Sequence, residues 1–415
     1  MLLVFGQAIA KLFKGKWTSY LYGILPHPTE PKVLMLRDGN NWSLLNISVN
    51  QEIDYYDFGT IKQEIAKQLG ITVNILYCAN QHYDKSNRRI YGIYVLEQDG
   101  SIEELKEGSW IALETLRNLS LIIPEQKSVI EKYLTEIANK DIPKLRPPWA
   151  RVGWFDSATQ WIEEQLQKLN YKQLSPVYYS KSWGISCVLR VSTTAGNIYL
   201  KEASRLPLFC DEPIVTAKLA KFFPEHLPTV LSTDPQQHWM LLADFGQPIG
   251  RNAPSKLKKD IYRLFAQIQI KSVQYRETLL SVGCLDRRLN RLETQIDVLF
   301  QDENALSQLE STEIKQLQAI APQLKNLCLK LAGYRIPQTL VHGDLHLGNV
   351  ALFKDNYLFF DWTDSCISHP FFDMFELFFA RNNQLSLFSL RSLRDEYLNQ
   401  WTIYEPKSRL LEAWT

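Results

Sequence analysis

Three polar residues in two short stretches have the types and spacing that phosphoryl transfer requires. The stretch TLVHGDLHLGNV holds Asp344 and Asn349, separated by four residues in a glycine-containing segment that follows a short apolar strand. The stretch YLFFDW places Asp361 after a second apolar strand. Moving a phosphoryl group requires metal ions on the phosphates and a carboxylate that accepts the proton of the nucleophile. Because Mg²⁺ prefers a few hard oxygen ligands from side chains, the two stretches predict a magnesium-dependent phosphoryl-transfer site.

The order H-G-D-x-x-x-x-N, followed by a hydrophobic residue and Asp-Trp, resembles the aminoglycoside phosphotransferase and choline kinase-like family, whose members are relatives of protein kinases. The resemblance implies that Asp344 is the catalytic base and that Asn349 and Asp361 are metal ligands. It also implies that His342 supports the loop. Further on, SHPFFDM matches the family pattern H-P-x-x-D, which implies that Asp373 braces the catalytic loop through hydrogen bonds to its backbone.

The same resemblance implies nucleotide-binding residues upstream. NIYLKEA carries Lys201 between apolar residues, where a strand can bury its stem and project the ammonium toward the α- and β-phosphates of ATP. DEPIVTAKLA carries Glu212 at the start of the next helix, where it would orient the lysine. The phosphate-covering hairpin would be YSKSWGISCVLRV, whose single Gly184 lies between Ser182 and Ser186. Hydroxyls and backbone N–H groups are therefore expected to replace a glycine-rich loop.

A second candidate for the metal ligand is the Asp-Phe-Gly of HWMLLADFGQPIG, because this tripeptide holds magnesium in kinase-like enzymes. A metal-binding Asp must lie on the hairpin that follows the catalytic loop, whereas Asp244 precedes Asp344 by about a hundred residues. Asp244 directly follows the apolar strand WMLLA, where the family has its hinge and binds adenine. We therefore expect Asp361 to bind the metal, and backbone groups of Ala243 and Phe245 to bind adenine.

The elements around these residues predict an α+β protein. Residues 175–248 are rich in strand patterns, and the chain beyond residue 250 is helical, with Ile261, Leu264, Phe265 and Ile268 on one helix face. A β-rich lobe followed by a helical lobe is a two-lobed layout, which the resemblance identifies as protein-kinase-like. Before it, the connector KLRPPWARVGWF leads into an amphipathic helix with Ser157 as its N-cap.

The N-terminal region is similar to a Nudix hydrolase fold in its order of strand, helix, strands, W-x-x-L-x-x-L segment and closing helix. When its helix is aligned with the Nudix box on Gly70, Lys67 and Gln68 replace the two glutamates that bind metal. The opening Gly and Glu of the box are replaced by Val49 and Tyr55. A cationic lysine would repel Mg²⁺. We therefore predict a Nudix-like α/β sandwich without hydrolase activity, the alternative being an unrelated α+β domain.

These observations divide the chain into four parts. We predict a Nudix-like domain at 1–145, a connector and helix at 146–174, a β-rich kinase-like lobe at 175–248, and a helical lobe at 249–415. Only about forty residues follow Asp373, fewer than the family usually places there. We therefore expect the helical lobe to stop early, leaving Leu411 and Trp414 of the last helix partly exposed. The alternative is that this helix ends the lobe by packing against the other helices.

The composition excludes several classes of protein. Apolar residues make up 45% and charged residues 22%, as in ordinary globular proteins. Lys plus Arg (46) nearly balance Asp plus Glu (45), so there is no basic field to attract nucleic acid. No window approaches the roughly 18 apolar residues that span a bilayer, no signal peptide is recognisable, and the six scattered cysteines fit reduced thiols. We expect a cytoplasmic protein that binds neither nucleic acid nor membrane, and the sequence predicts no partner protein.

Two functional interpretations remain. The first is an ATP- and Mg²⁺-dependent kinase that phosphorylates a hydroxyl of a small molecule, such as a sugar or an amino alcohol. The alternative is a nucleotide-binding regulatory protein whose kinase-like and Nudix-like domains are interaction surfaces without turnover. A protein kinase is disfavoured, because the loop reads H-G-D and no A-P-E follows Asp361. The motifs do not reach the regions that bind substrate in this family, so the acceptor is not predicted.

Overall fold

The computed structural model describes residues 17–99, 108–250, 253–375, 377 and 387–414. The chain divides into two compact units, residues 1–201 and 202–415. Both units contain helices and strands, so the protein is of the mixed α+β class, as expected. The domain boundaries at residues 145, 174 and 248 stay predictions.

The first unit begins with seven strands in two sheets. One sheet has the order β4-β1-β6-β5, in which β1 is parallel to β6 and antiparallel to β4, and the other has the order β3-β2-β7. The strands and helices up to residue 139 are β1 (Thr18–Ile24), β2 (Lys32–Asp38), β3 (Asn41–Ser43), β4 (Leu45–Val49), α1 (Phe58–Leu69), β5 (Val73–Asp84), β6 (Arg89–Gln98), β7 (Gly108–Ala112), α2 (Leu113–Leu116) and α3 (Gln126–Asn139).

Helix α1 occupies the segment that the sequence predicts to be helical. Asp57 caps its start by accepting a hydrogen bond from the Thr60 backbone N–H at 3.1 Å. Gly70 ends the helix in the left-handed conformation, with φ of +69°. Ile61 and Ile65 lie on the buried face, since their spacing places them on one side of the helix. The helix expected from the sequence before Gly70 is therefore present.

The connector passes through one turn of 3₁₀ helix (Pro148–Ala150) into α4 (Trp154–Lys168). The predicted N-cap at Ser157 is wrong. The helix begins one turn earlier because Trp154 and Phe155 are buried in helical positions, and Gly153 is the cap residue, with φ of +81°. The hydroxyl of Ser157 instead donates to the Gly153 carbonyl at 2.8 Å. The strands that follow are β8 (Tyr178–Ser182), β9 (Ser186–Thr193) and β10 (Gly196–Ala203).

The second unit is mainly helical. It contains two antiparallel hairpins, β11–β12 and β15–β16, and a small sheet of order β13-β17-β14. Its elements are α5 (Glu212–Phe222), β11 (Val230–Asp234), β12 (Trp239–Ala243), α6 (Ser255–Ser272), α7 (Arg276–Ser281), β13 (Leu285–Asp286), α8 (Leu289–Leu299), α9 (Glu303–Leu306), α10 (Ser311–Ala332), β14 (Thr339–Val341), β15 (Val350–Phe353), β16 (Asn356–Phe359), β17 (Cys366–Ser368), α11 (Leu387–Gln400) and α12 (Lys407–Trp414).

One hydrophobic core holds these elements together. The predicted apolar face of α6 is buried in it through Ile261, Phe265 and Ile268. The aromatic ring of Phe265 lies 5.0 Å from that of Phe359, the last residue of β16. Burial of each such side chain contributes roughly 2 kcal/mol. The core therefore fixes the ends of the strands that carry the candidate site.

The last helix, α12, is partly covered by this core. Leu410 is fully buried, whereas Leu411 and Trp414 are half-buried and pack against the same cluster. The ring of Trp414 lies 5.5 Å from that of Phe371. All six cysteines are free thiols. Among the described residues, no helix combines the length and the apolar character needed to cross a membrane.

Candidate active site

The segment after β14 has a backbone shape that requires glycine. Gly343 has φ of +85°, in the left-handed region. A Cβ atom at this position would lie 2.4 Å from the carbonyl oxygen of Asp364. The loop that carries Asp344 therefore lies directly against the segment that follows Asp361, and only a residue without a side chain permits this approach.

Asp373 is buried beneath this loop and binds its backbone. Its carboxylate accepts hydrogen bonds from the backbone N–H groups of His342 and Gly343, both at 2.9 Å. The side-chain amide of Gln269, on α6, donates to the same carboxylate at 2.8 Å. Burial raises the pKa of Asp373 to about 7, although these hydrogen bonds favour the charged form. The side chain thus connects the loop to α6.

The Asp344 carboxylate is exposed and is oriented by two neighbours. The side-chain amide nitrogen of Asn349 donates to the Asp344 carbonyl at 2.9 Å and to its Oδ2 at 3.1 Å. His346 Nε2 lies 3.5 Å from the same Oδ2. The hydrogen bond from His346 lowers the pKa of Asp344. With 54% of its side chain exposed, Asp344 is an ionised carboxylate open to solvent.

His346 is a site residue that the sequence motifs did not predict. Its Nδ1 accepts a hydrogen bond from the Gly348 N–H at 2.9 Å, which leaves the proton on Nε2, facing Asp344. The second histidine of HGDLH was visible in the sequence, but only the folded loop brings its ring back to the aspartate. This ring supplies a hydrogen-bond donor to the candidate base.

Asp361 follows β16 in a strained conformation. Its φ is +66°, which is uncommon for a residue with a side chain. The hydroxyl of Thr363 lies 3.0 Å from Asp361 Oδ1 and 2.8 Å from Glu212 Oε2. Glu212 Oε1 accepts a hydrogen bond from the Trp362 N–H at 3.0 Å. The buried Glu212 therefore holds the two residues after Asp361, a contact that the sequence did not suggest, and its predicted partner Lys201 stays a prediction.

His342 supports the other side of Asp361. It is fully buried, and its Nε2 lies 3.0 Å from the carbonyl oxygen of Phe360. Burial lowers its pKa to about 4, so the ring is neutral at pH 7 and donates its single N–H to that carbonyl. Its ring also packs against the ring of Trp362 at 4.5 Å. His342 thus contacts residues on both sides of Asp361.

Asn349 and Asp361 have the donor atoms that Mg²⁺ takes from proteins. The amide nitrogen of Asn349 faces Asp344, so its amide oxygen is turned the other way and is available as a ligand. An amide oxygen and a carboxylate are hard ligands, and phosphates and water complete such sites. Within the described residues, no group of three or more His, Cys, Asp or Glu side chains could hold a metal by itself. The donor set fits a magnesium ion bound together with a nucleotide.

The Asp-Phe-Gly at residues 244–246 forms a turn. Asp244 Oδ1 accepts a hydrogen bond from the Gly246 N–H at 2.9 Å. The ring of Phe245 lies 4.9 Å from that of Phe360. The N–H of Ala243 donates to the Thr229 carbonyl at 3.0 Å, and the adenine contacts of Ala243 and Phe245 stay a prediction. Asp244 thus stabilises its own turn.

In the first unit, the predicted phosphate-covering turn is closed by a tryptophan. Trp183 Nε1 donates to the Ser186 hydroxyl oxygen at 2.6 Å, and its backbone N–H donates to the Ser186 carbonyl at 3.0 Å. Ser182 and Ser186 are both buried, whereas Gly184 is exposed. The backbone at Gly184 is therefore more accessible than either hydroxyl. Lys201 is buried on β10, as expected for a lysine whose stem lies in a strand.

In helix α1, which was aligned with the Nudix box, the carboxylate of Glu64 is contacted by two side chains of the same helix. Lys67 Nζ lies 3.4 Å from one oxygen of Glu64, and Gln68 Nε2 donates to the other at 3.0 Å. The hydrogen bond from Gln68 lowers the pKa of Glu64. Both side chains come from the same helix, so both oxygens of Glu64 have local partners. The Nudix-like identity of this region stays a prediction.

Part of the second unit is similar to known phosphotransferases. Residues 246–411, less than half of the chain, match the model of the phosphotransferase enzyme family, and no curated protein matches the sequence. A macrolide 2'-phosphotransferase, MphH from Brachybacterium faecium, is similar at 13% identity over 62% of this chain and 88% of its own, with a TM-score of 0.44. Choline kinase LicA from Streptococcus pneumoniae is similar at 13% identity over 62% and 99%, with a TM-score of 0.40.

A third solved structure is the gentamicin complex of APH(2")-IIa, at 14% identity over 62% of this chain and 84% of that one, with a TM-score of 0.44. No inference about substrate follows from likenesses at this level. The matched region contains Asp344, Asn349, Asp361 and Asp373, and it begins after Lys201 and Glu212. The candidate base and metal ligands therefore lie in the part of the chain that matches the phosphotransferase enzyme family model.

Proposed function

We propose that the protein transfers the terminal phosphoryl group of ATP to a hydroxyl of a small molecule, with Mg²⁺ as cofactor. The observation that carries the proposal is the state of Asp344: an exposed, ionised carboxylate held by Asn349 and His346 on a loop that Asp373 fixes from below. A base for phosphoryl transfer needs this combination of charge, access and orientation. The match of residues 246–411 to a phosphotransferase family agrees with it.

In the proposed reaction, the oxygen of the acceptor hydroxyl forms a bond to the terminal phosphorus while the bond from that phosphorus to the bridging oxygen of ADP breaks. The acceptor proton passes to a carboxylate oxygen of Asp344. The lowered pKa of Asp344 makes it a weak base, which suits a loose transition state in which the proton leaves late. The N–H of His346 holds the carboxylate in one orientation.

The metal would neutralise charge on the phosphates when bound. Asp361 and the amide oxygen of Asn349 would hold it. Glu212 and Thr363 fix the backbone after Asp361, and His342 fixes the carbonyl before it, so the Asp361 carboxylate is oriented in advance. Such preorganisation reduces the reorganisation that catalysis requires.

Nucleotide-binding roles are proposed for residues in both units. Lys201 would contact the α- and β-phosphates, with Glu212 as its partner. The turn of Ser182, Gly184 and Ser186 would cover the phosphates, mainly through backbone N–H groups. The carbonyl of Ala243 and a backbone group of Phe245 would contact adenine. Structures of the related APH(2")-IIa and APH(9)-Ia contain ATP and ADP, respectively, which supports the choice of nucleotide.

The acceptor is proposed to be a sugar or an amino alcohol. The test is incubation of the purified protein with ATP, Mg²⁺ and a panel of hydroxylated metabolites, with ADP release as the readout. Turnover that requires both a panel member and Asp344 supports the proposal. Nucleotide binding without turnover on a broad panel would favour the alternative, a nucleotide-binding regulatory protein.

A further inference from the structure

The connector between the N-terminal strands and β8 makes a specific contact with the predicted phosphate-covering turn. Trp149, in the 3₁₀ turn of the connector, is buried, and its Nε1 donates a hydrogen bond to the carbonyl oxygen of Trp183 at 2.9 Å. Trp183 is the residue that closes the turn through its two hydrogen bonds to Ser186. One indole of the connector therefore holds the tip of the turn.

The connector is itself fixed on both sides of Trp149. Arg146 forms an ion pair with Glu136 of α3, in which Nη2 lies 2.9 Å from Oε2. At the other end, the Gly153 N–H donates to Oε1 of the buried Glu97, on β6, at 2.6 Å. Because both anchors belong to the N-terminal elements, the position of Trp149 is set by those elements.

A second contact packs helices α1 and α4 against β8, the strand that leads into the turn. Tyr179 of β8 is buried, and its ring lies 5.8 Å from Phe58 of α1 and 4.9 Å from Phe155 of α4. Gly59 approaches so closely that a Cβ atom there would lie 2.8 Å from the Tyr179 carbonyl oxygen. Helix α1 thus packs on the backbone of β8 without space for one more methyl group.

We propose that Trp149 is a positioning residue for the phosphate-covering turn, and that the N-terminal region thereby sets the affinity of the protein for nucleotide. This inference rests on the proposed function, since it takes residues 182–186 to cover the phosphates. The hydrogen bond holds the Trp183 carbonyl, and the turn is then closed by the Trp183 side chain. Without the donor, the carbonyl of the half-buried Trp183 loses this hydrogen bond and the turn samples open conformations.

The test compares Trp149→Phe, which keeps an aromatic ring and removes the N–H donor, with Trp110→Phe as a matched control. Trp110 is a half-buried tryptophan of β7 that packs edge-on against His27, 4.8 Å away. Hydrogen exchange of peptides covering residues 178–190 is measured without nucleotide. We expect exchange in Trp149→Phe to be about tenfold faster than in the wild type, and exchange in Trp110→Phe to be unchanged.

Should Trp149→Phe fail to fold, Gly59→Ala tests the same dependence from the side of α1, and faster exchange in the hairpin is again expected. Unchanged exchange in the folded variant would overturn the proposal.

With an accepted substrate, Trp149→Phe should raise the KM for ATP about tenfold and leave kcat within about twofold. Faster exchange with an unchanged KM would overturn the link to nucleotide affinity. If the wild-type protein does not bind ATP, the proposed function is wrong. The hydrogen-exchange rates of residues 178–190 would still test whether Trp149 positions the turn.

Discussion

Helix α1 and the loop after β14 each carry an acidic residue held by two neighbouring side chains, but they hold their carboxylates in different ways. In α1, Glu64 is contacted by Lys67 and Gln68 of its own helix, one at each oxygen. In the loop, Asp344 is oriented by Asn349 and His346 and stays exposed. In the first arrangement both carboxylate oxygens contact side chains of the same helix, whereas in the second both contacts fall on Oδ2 of Asp344 and the side chain is 54% exposed. The partners of an acidic residue therefore indicate more about its chemistry than the motif alone.

The largest expected effect comes from the exposed carboxylate. Asp344→Asn keeps the shape of the side chain and removes the proton acceptor, so kcat should fall about a thousandfold, which corresponds to about 4 kcal/mol. ATP affinity should stay within about twofold, because the metal ligands are untouched. Steady-state release of ADP with an accepted substrate measures both. Asp355→Asn, in the exposed turn between β15 and β16, is the control, and equal turnover in the two variants would refute the assignment of the base.

The next prediction concerns buried histidines, which are found in the second unit, whereas His27 and His82, the histidines of the first unit, are not buried. Burial lowers the pKa of His369 to about 3, below the value of about 6.5 that it has when unfolded. The neutral ring therefore stabilises the fold above pH 6.5, and this contribution is lost as the pH falls toward 3.

The comparison is His369→Asn, which can still accept the hydrogen bond that His369 Nδ1 receives from the Phe371 N–H. Relative to this variant, the wild type should lose about 3 kcal/mol of unfolding free energy between pH 7.5 and 4. Urea unfolding at several pH values measures the difference between the two proteins. Taking this difference removes the contribution of Asp373, whose pKa shift has the opposite sign. Parallel curves for the two proteins would show that His369 does not titrate in this way.

Asp361 and Asp244, the two candidates for the metal ligand, allow a further comparison within the second unit. In Asp361→Ala, the Mg²⁺-dependent stabilisation by ATP should disappear, which at a hundredfold excess over Kd is about 2.7 kcal/mol. In Asp244→Ala it should persist, because Asp244 bonds its own turn. The measurement is the change in Tm on adding ATP and Mg²⁺ within each variant, which cancels the strain of placing alanine at φ of +66°. The reverse pattern would exchange the roles of the two residues.

The smallest expected effect is the absence of hydrolysis in the first unit. In the Asp344→Asn background, the protein should not hydrolyse nucleoside diphosphate compounds in the presence of Mg²⁺, because Glu64 has no second carboxylate at positions 67 and 68. Phosphate release is the readout. Lys67→Glu with Gln68→Glu in the same background restores the missing carboxylates and serves as a comparison. Detectable hydrolysis before this substitution would contradict the prediction.

The sequence allowed local elements to be predicted because their causes are local. Helix α1 follows from the spacing of its apolar residues and from its caps at Asp57 and Gly70. The start of α4 was predicted one turn too late, because the burial of Trp154 and Phe155 depends on residues distant in sequence. An N-cap residue such as Ser157 signals only the possibility of a helix start, and packing decides which turn is first.

In the candidate site, too, some features could be predicted from local sequence and others could not. The order of motifs identified Asp344, Asn349 and Asp361, but the hydrogen bonds that hold them were not predictable. Glu212 reaches Trp362 across 150 residues of sequence, and no local pattern records such a contact. The indole of Trp149 and the closing of the turn by Trp183 are likewise products of the tertiary fold. Motifs identify the groups that react, and packing determines which other residues orient them.

The close approach at Gly343 has a consequence for how this chain tolerates change. The residue has no side chain to offer a substrate, yet every other amino acid would bring an atom to about 2.4 Å from the Asp364 oxygen and would also strain the backbone. If position 343 is randomised and active variants are selected, only glycine should be recovered. At the neighbouring position 344 only aspartate should be recovered, because of its proposed chemical role and not because of a steric limit.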